Sequence, residues 1–113
     1  MQLAIFDLDH TLLPFDSDKA WNQFLVDQGF VDRDDYEQRN AQFYQDYLEA
    51  RLDIHAYQAF ACEVLQTFPV ELVTTWRDRY VKEIVVPELQ TKALDLIQEY
   101  KEKGFQTLII SAT

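Results

Sequence analysis

Two short apolar segments near opposite ends of the chain place the strongest constraint on its fold. Residues 3–7 (LAIFD) and 107–111 (TLIIS) are runs of mostly apolar side chains that end in a polar residue, which is typical of buried strands. Such continuous apolar runs suit a parallel sheet that is covered on both faces. Parallel neighbours need a long crossover, and the chain between the two segments has helical periodicity. The sequence therefore predicts an α/β fold.

Residue types that start and stop helices divide the intervening chain. N-capping residues and prolines mark the predicted starts, at Ser17, Asp53, Pro69 and Pro87, and a further helix covers roughly 33–51. Glycines follow the first and last of these helices, at Gly29 and Gly104. So many helices exceed what a simple crossover needs. We expect a core formed by residues 1–14 and 87–113, with an inserted helical region at residues 15–86.

Composition limits the partners that this chain can have. Twenty acidic residues against ten basic ones give a net charge of −10, which argues against binding to nucleic acid or to anionic membranes. Cys62 is the only cysteine, so neither an internal disulfide nor a cysteine zinc cluster can form. No apolar run approaches the ~18 residues of a membrane span, and the N-terminus lacks signal-peptide features. We expect a cytoplasmic protein.

The segment D-L-D-H-T follows the first predicted strand and carries the clearest sign of chemistry. Asp7 falls at the carboxyl end of that strand, where open α/β sheets bind their ligands, and Asp9 comes two residues later. As the chain turns out of the strand, this spacing lets both carboxylates reach one ligand group. The alternative is a coincidental pair of aspartates in a turn.

In its full context, IFDLDHTLL resembles the first motif, D-x-D-x-T, of the haloacid dehalogenase-like (HAD) phosphatases. LIISAT resembles the second motif of that superfamily, an apolar strand ending in Ser or Thr, and Ser111 is the matching residue. The helical insertion resembles the family's cap of the first type. The stretches SDKAW and FYQDYLEARLDI resemble the phosphoserine-phosphatase-like branch (subfamily IB). The resemblance implies a Rossmann-like parallel-sheet core, present in part, with an α-helical cap at 15–86.

The resemblance also implies a role for each motif residue. Asp7 would be the nucleophile that forms an aspartyl-phosphate, and Asp9 the general acid and then base. A free aspartate has a pKa of ~3.9, so Asp9 needs a raised value, which the like charge of Asp7 favours. Mg²⁺ would bridge Asp7, the Asp9 backbone carbonyl and the phosphate. Ser111 would hydrogen-bond the phosphoryl group, or alternatively serve as a strand-end or N-cap residue, and Thr11 would support the loop.

Three further residues have two interpretations each. Asp16 matches the position of an acidic residue that meets the substrate amine in phosphoserine phosphatases, and the alternative is a turn or cap residue. Arg51 could meet a substrate carboxylate or order the cap, and the alternative is a solvated or structural arginine. His10 occupies the variable position of the motif, so a catalytic role is the weaker interpretation.

The chain departs from the family pattern at its C-terminal side. The family's third motif supplies a lysine and its fourth supplies acidic metal ligands, and both follow the second motif, whereas this sequence stops at Thr113. We expect an N-terminal half that is inactive or weakly active alone and needs a dimer or a complementing C-terminal segment. The leading hypothesis is a Mg²⁺-dependent phosphatase of a small phosphomonoester, with a phosphoserine-like molecule as the candidate substrate. The alternative is a non-catalytic fragment or an interaction module that docks through its aromatic helices.

Overall fold

The two predicted strands pair in parallel, which confirms the α/β fold. A computed structural model describes residues 1–112. Strand β1 is Leu3–Phe6 and strand β2 is Gln106–Ile109, in a register that sets Leu3 opposite Gln106 and Phe6 opposite Ile109. Within the described residues these strands form a two-stranded sheet. Their carboxyl ends therefore lie side by side.

Six α-helices occupy most of the chain between the strands in residues 1–112. They are α1 Ser17–Asp27, α2 Arg33–Leu48, α3 Ile54–Ala61, α4 Glu63–Thr67, α5 Val70–Tyr80 and α6 Thr91–Glu102. A wide helical turn, Val81–Val85, and a 3₁₀ turn, Val86–Glu88, continue from α5. The predicted start of the last helix at Pro87 is wrong, because Pro87 belongs to the 3₁₀ turn and α6 begins at Thr91. Proline is tolerated in the first turn of either kind of helix, so the residue alone does not distinguish them.

Aspartate side chains cap the N-termini of α1 and α3. Asp53 accepts hydrogen bonds from the backbone N–H groups of His55 and Ala56, which confirms it as the N-cap of α3. The prediction of Ser17 as the N-cap of α1 is wrong. Asp16 caps that helix instead, since its Oδ1 accepts from the N–H groups of Asp18 and Lys19 at 3.0 Å each. Both residue types satisfy the free N–H groups of a helix start.

The chain divides into two compact units. The first comprises Met1–Asn22 together with the chain from Arg79 onward, and it contains the sheet and α6. Here the ring of Tyr100 makes edge-to-face contacts with Phe6 and Phe105, at centroid distances of 6.3 and 5.0 Å. Such contacts hold α6 against β1. The division of the chain into a core, residues 1–14 and 87–113, and a cap, residues 15–86, remains a prediction.

The second unit, Gln23–Asp78, is organised around aromatic side chains. Phe30 stacks on Trp76 with ring centroids 4.1 Å apart, and Tyr36 and Phe60 approach each other to 4.7 Å. Arg39 lies over the ring of Phe60, 4.5 Å from its centroid. These aromatic side chains therefore pack against one another within the unit. None of the helices in residues 1–112 has the length and apolar character that a membrane crossing requires.

Candidate active site

The D-L-D-H-T segment forms a kinked loop directly after β1. Asp7 is extended (φ −82°, ψ 163°), and its Oδ1 accepts from the Leu8 N–H at 2.7 Å. The Leu13 N–H closes the loop by donating to the Leu8 carbonyl at 3.0 Å. Inside it, His10 adopts a left-handed conformation with φ 55°. This rarely populated conformation lets the chain reverse within a few residues while it keeps both aspartates at the end of the strand.

Asp9 is tied to the start of α1. Its side chain is partly buried, and its Oδ1 accepts from the Ser17 N–H at 3.1 Å. Asp7, by contrast, is exposed at the end of β1. The two carboxylates of the motif therefore differ in surroundings. The outer one is accessible to a ligand, and the inner one is anchored by a backbone donor.

Ser111 lies at the same edge of the sheet as Asp7. The Ile110 N–H donates to the Phe6 carbonyl at 2.9 Å, so the parallel ladder continues one residue past β2. This brings Asp7 and the partly buried Ser111 to the carboxyl ends of neighbouring strands. In α/β sheets this edge is where ligands bind.

The remaining predicted site residues occupy different surroundings. Asp16 is exposed and caps α1, and both of its hydrogen bonds use Oδ1. Thr11 is also exposed. Arg51 belongs to the second unit, where it pairs with Glu49 and lies 3.9 Å from Asp46 Oδ1. The first unit thus contains all the predicted site residues except Arg51.

Two residues that the sequence did not single out hold the backbone of the loop and of the first residue of α1. Gln90, just before α6, donates from its backbone N–H to the Leu12 carbonyl at 3.0 Å and from Nε2 to the Thr11 carbonyl at 3.1 Å. The hydroxyl of Tyr80, at the end of α5, donates to the Ser17 carbonyl at 2.7 Å. In sequence, Tyr80 had only the signal of a core residue on an amphipathic helix, and Gln90 had none.

The electrostatics of Tyr80 reflect its position beside acidic groups. Burial raises the pKa of its hydroxyl to about 12, and the negative charges of Asp9, Asp18 and Asp16 act in the same direction. The hydroxyl is therefore protonated at neutral pH and acts as a hydrogen-bond donor.

Asp7 and Asp9 have the chemistry of a partial Mg²⁺ site. No group of three or more His, Cys, Asp or Glu side chains suited to a metal occurs in the part of the chain described by the structure. Mg²⁺ commonly takes only one or two carboxylates and completes its shell with water and substrate phosphate. The exposed carboxylate of Asp7 and the backbone carbonyl of Asp9 are hard oxygen donors of this kind. They fit as part of a Mg²⁺ ligand set.

A surface cavity of about 220 Å³ lies within the second unit and contains none of the predicted site residues. Arg39 lines it, and its guanidinium bonds Glu63 at 2.6 Å and Asp35 at 3.2 Å. The hydrogen bond to Glu63 raises the pKa of Arg39, and the bond to Asp35 adds to it. Its positive charge is thus already matched by acidic partners, so this cavity does not offer the cationic surface that a phosphate needs.

The site thus combines two aspartates that follow one strand with a serine that follows its parallel neighbour. This combination is the signature of one family of hydrolases. Residues 4–113 match the haloacid dehalogenase-like hydrolase family, and the chain belongs to that family. A histidinol-phosphatase from Neisseria meningitidis serogroup C (strain 8013) is 38% identical over 111 residues, which cover 98% of this chain and 50% of that protein.

A solved structure gives the same result for the fold. The crystal structure of a protein with unknown function from Bordetella pertussis Tohama I superposes with a TM-score of 0.89 at 29% identity. The match covers 99% of this chain and 51% of that one. The chain therefore spans about half the length of the relatives that it matches.

Proposed function

We propose that this chain is the nucleophile-bearing half of a Mg²⁺-dependent phosphatase, which hydrolyses a small phosphomonoester through an aspartyl-phosphate. The observation that carries the proposal is the position of Asp7, exposed at the carboxyl end of β1, with Asp9 in the same loop and Ser111 at the end of the neighbouring strand. Family membership and the histidinol-phosphatase relative support it.

The reaction has two steps that use the same side chains. A carboxylate oxygen of Asp7 attacks phosphorus, the bond to the ester oxygen breaks, and Asp9 donates a proton to the departing alkoxide. Water then attacks the phosphorus of the aspartyl-phosphate, Asp9 takes the proton of that water, and Asp7 and inorganic phosphate are released. The Ser111 hydroxyl donates a hydrogen bond to a phosphoryl oxygen in both steps.

The acidic character of the chain requires positive charge at this site. Asp7 and the backbone carbonyl of Asp9 would hold Mg²⁺, which when bound offsets the charge of the phosphate. Ser111 and the backbone N–H groups of the loop supply hydrogen-bond donors but no net charge. The proposed metal would therefore supply, at the part of the site that this chain forms, the positive charge that a chain of net charge −10 lacks there.

We propose an amino-alcohol phosphate as the substrate. Asp16 lies one residue before Ser17, whose N–H bonds Asp9, so its carboxylate is near the loop and suits an ammonium or imidazolium group. Phosphoserine and histidinol phosphate both combine a phosphomonoester with a cationic group. Histidinol phosphate is the first substrate to test, because the relative from Neisseria meningitidis is named a histidinol-phosphatase. Arg51 remains a proposed contact for a substrate carboxylate, which phosphoserine has and histidinol phosphate lacks.

The proposed enzyme needs a lysine and acidic metal ligands from another segment or subunit. Large apolar side chains of the sheet are exposed, including Ile5 at 58% and Ile109 at 58%, although parallel sheets are normally covered. A complementing segment that packs on this sheet would bury them. We therefore expect the 113-residue chain alone to be inactive or weakly active. We also propose a cytoplasmic location, which suits a sequence whose one cysteine cannot form an internal disulfide.

The test is phosphate release from histidinol phosphate and phosphoserine, with Mg²⁺ and with EDTA, by the complete enzyme and by the 113-residue chain. Asp7→Asn should abolish turnover in the complete enzyme, because an amide is a poor nucleophile. The matched control is Asp95→Asn, an exposed aspartate on α6, which should retain full turnover. Undiminished turnover by Asp7→Asn would show that the nucleophile is misassigned. Robust turnover by the 113-residue monomer would refute the need for a further segment.

Exposed aromatic and apolar residues of the second unit favour one other candidate function, a non-catalytic interaction module. Tyr44 and Tyr47 are each 64% exposed and Leu48 is 59% exposed, all on α2. Such a module would bind a protein partner equally well with Asp7→Asn and would release no phosphate. Any Mg²⁺-dependent turnover that Asp7→Asn removes decides for the phosphatase.

A further inference from the structure

We infer that Tyr80 is a positioning residue that holds the Asp9 carboxylate in place through Ser17. The hydroxyl of Tyr80 donates to the Ser17 carbonyl at 2.7 Å, and the Ser17 N–H donates to Asp9 Oδ1 at 3.1 Å. The two hydrogen bonds engage the two backbone polar groups of one residue. The position of Ser17 is thus set from the end of α5, and the orientation of Asp9 follows from it.

Ser17 can link Tyr80 to Asp9 in this way because its own backbone is held in place. Ser17 is the first residue of α1, and the preceding Asp16 caps the same helix, so the N-terminal backbone of α1 is held in one conformation. A hydrogen bond to one carboxylate oxygen also limits rotation of the carboxylate plane. Proton transfer to and from a leaving group needs a donor in a defined position, and Asp9 has that task in the proposed function, on which this inference rests.

The Tyr80 hydroxyl is itself fixed in position. The residue is 7% exposed, and its ring meets Trp21 edge to face with centroids 5.3 Å apart. A phenylalanine in its place keeps this ring contact and removes the hydroxyl alone. Because the phenol is protonated at neutral pH, it is present as a donor whenever the enzyme works.

Nuclear magnetic resonance on the 113-residue chain tests the inference without requiring turnover. The exchange of the Ser17 amide with solvent is measured at neutral pH in the wild-type chain, in Asp9→Ala and in Tyr80→Phe. The matched control is Tyr44→Phe, since Tyr44 is 64% exposed. In the wild-type chain and the control, the Ser17 amide should be protected from exchange, and Asp9→Ala, which removes its acceptor, should abolish that protection. Tyr80→Phe should lower the protection.

Exchange of the Ser17 amide should accelerate about tenfold in Tyr80→Phe, as expected from losing one hydrogen bond of ordinary strength. The Trp21 indole signal, which reports ring packing, should stay in place. Unchanged exchange of the Ser17 amide in a folded Tyr80→Phe variant would overturn the inference. The result does not depend on whether Asp7 is a nucleophile, which the phosphate-release assay decides separately.

A second variant keeps the inference testable if Tyr80→Phe fails to fold. Ser17→Pro removes the N–H that Asp9 accepts and retains the carbonyl that Tyr80 bonds, at the first helical position, where proline is tolerated. We expect the Asp9 side chain, without its backbone donor, to become mobile in Ser17→Pro, so that its β-methylene signals average over rotamers. An Asp9 side chain that is as ordered in Ser17→Pro as in the wild-type chain would overturn the inference.

Discussion

The end of α2 offers a quantitative test of the backbone conformation described here. In residues 1–112, three helices end with a left-handed residue. Two use glycine, Gly29 after α1 (φ 73°) and Gly104 after α6 (φ 84°), whereas α2 uses Ala50 (φ 55°). The Ala50 N–H donates to the Tyr47 carbonyl at 3.1 Å, and the Arg51 N–H donates to the Asp46 carbonyl at 2.8 Å. This pair of hydrogen bonds is the Schellman arrangement, which strongly favours glycine.

The magnitude follows from two opposing terms. A left-handed conformation costs a residue with a Cβ about 1–2 kcal/mol, and glycine avoids this cost. Glycine in turn adds about 0.5–1 kcal/mol of unfolded-chain entropy that folding must overcome. Ala50→Gly should therefore raise the free energy of unfolding by about 0.5–1 kcal/mol. Gly104→Ala should lower it by a similar amount, since no atom lies within 4 Å of a Cβ built there and the backbone conformation is the whole effect.

Urea unfolding followed by tryptophan fluorescence measures these free energies. Ala41→Gly is the matched control, because Ala41 is an exposed residue in the interior of α2 and glycine there should cost about 1 kcal/mol. We expect Ala50→Gly to raise the free energy of unfolding and Ala41→Gly to lower it, although the two residues are only nine positions apart. If both variants lose stability equally, Ala50 is helical in solution and the assigned conformation is refuted.

Two further predictions concern the site. Because His10 is left-handed in the loop, His10→Gly should raise the free energy of unfolding by about 1 kcal/mol and His10→Val should lower it by a similar amount. Thermal unfolding of both variants measures these changes, and a gain in stability with valine would contradict the prediction. The folded protein raises the pKa of Tyr80 from 10.0 to about 12. Tyr80 thus gives stability that is complete below pH 10 and is lost as pH rises through 12, so the free energy of unfolding of the wild type should fall relative to that of Tyr80→Phe between pH 10 and 12. Urea unfolding of both proteins across this range measures the change, and a constant difference would contradict it.

The sheet and the central site residues could be predicted because their signals are local. An apolar run followed by a polar residue indicates a buried strand and its end, and a parallel pairing of two such strands places their ends together. This reasoning located Asp7, Asp9 and Ser111 at one edge, as the register of β1 and β2 requires. The neighbouring Asp16 and Ser17 are both good N-caps, so the sequence could not tell which one fills that role.

The braces of the loop could not be predicted because they depend on distant parts of the chain. The hydroxyl of Tyr80 and its acceptor on Ser17 are 63 residues apart, and Gln90 and Thr11 are 79 residues apart. In both pairs the acceptor is a backbone carbonyl, which every residue possesses, so no side-chain pattern marks it. A tyrosine on the apolar face of a helix also has the same sequence signature whether its hydroxyl is used or not.

These braces bear on the question whether the aspartate pair is only a turn. A chain reversal after a strand needs only local hydrogen bonds, and a short Gly- or Asn-containing turn would provide it without strain. Here the loop places a histidine in the left-handed region, and Gln90 holds the carbonyls of Thr11 and Leu12 from outside the loop. A strained conformation persists only when surrounding structure enforces it. The fold therefore maintains a specific shape at Asp7 and Asp9 at a cost in stability, as the proposed site requires.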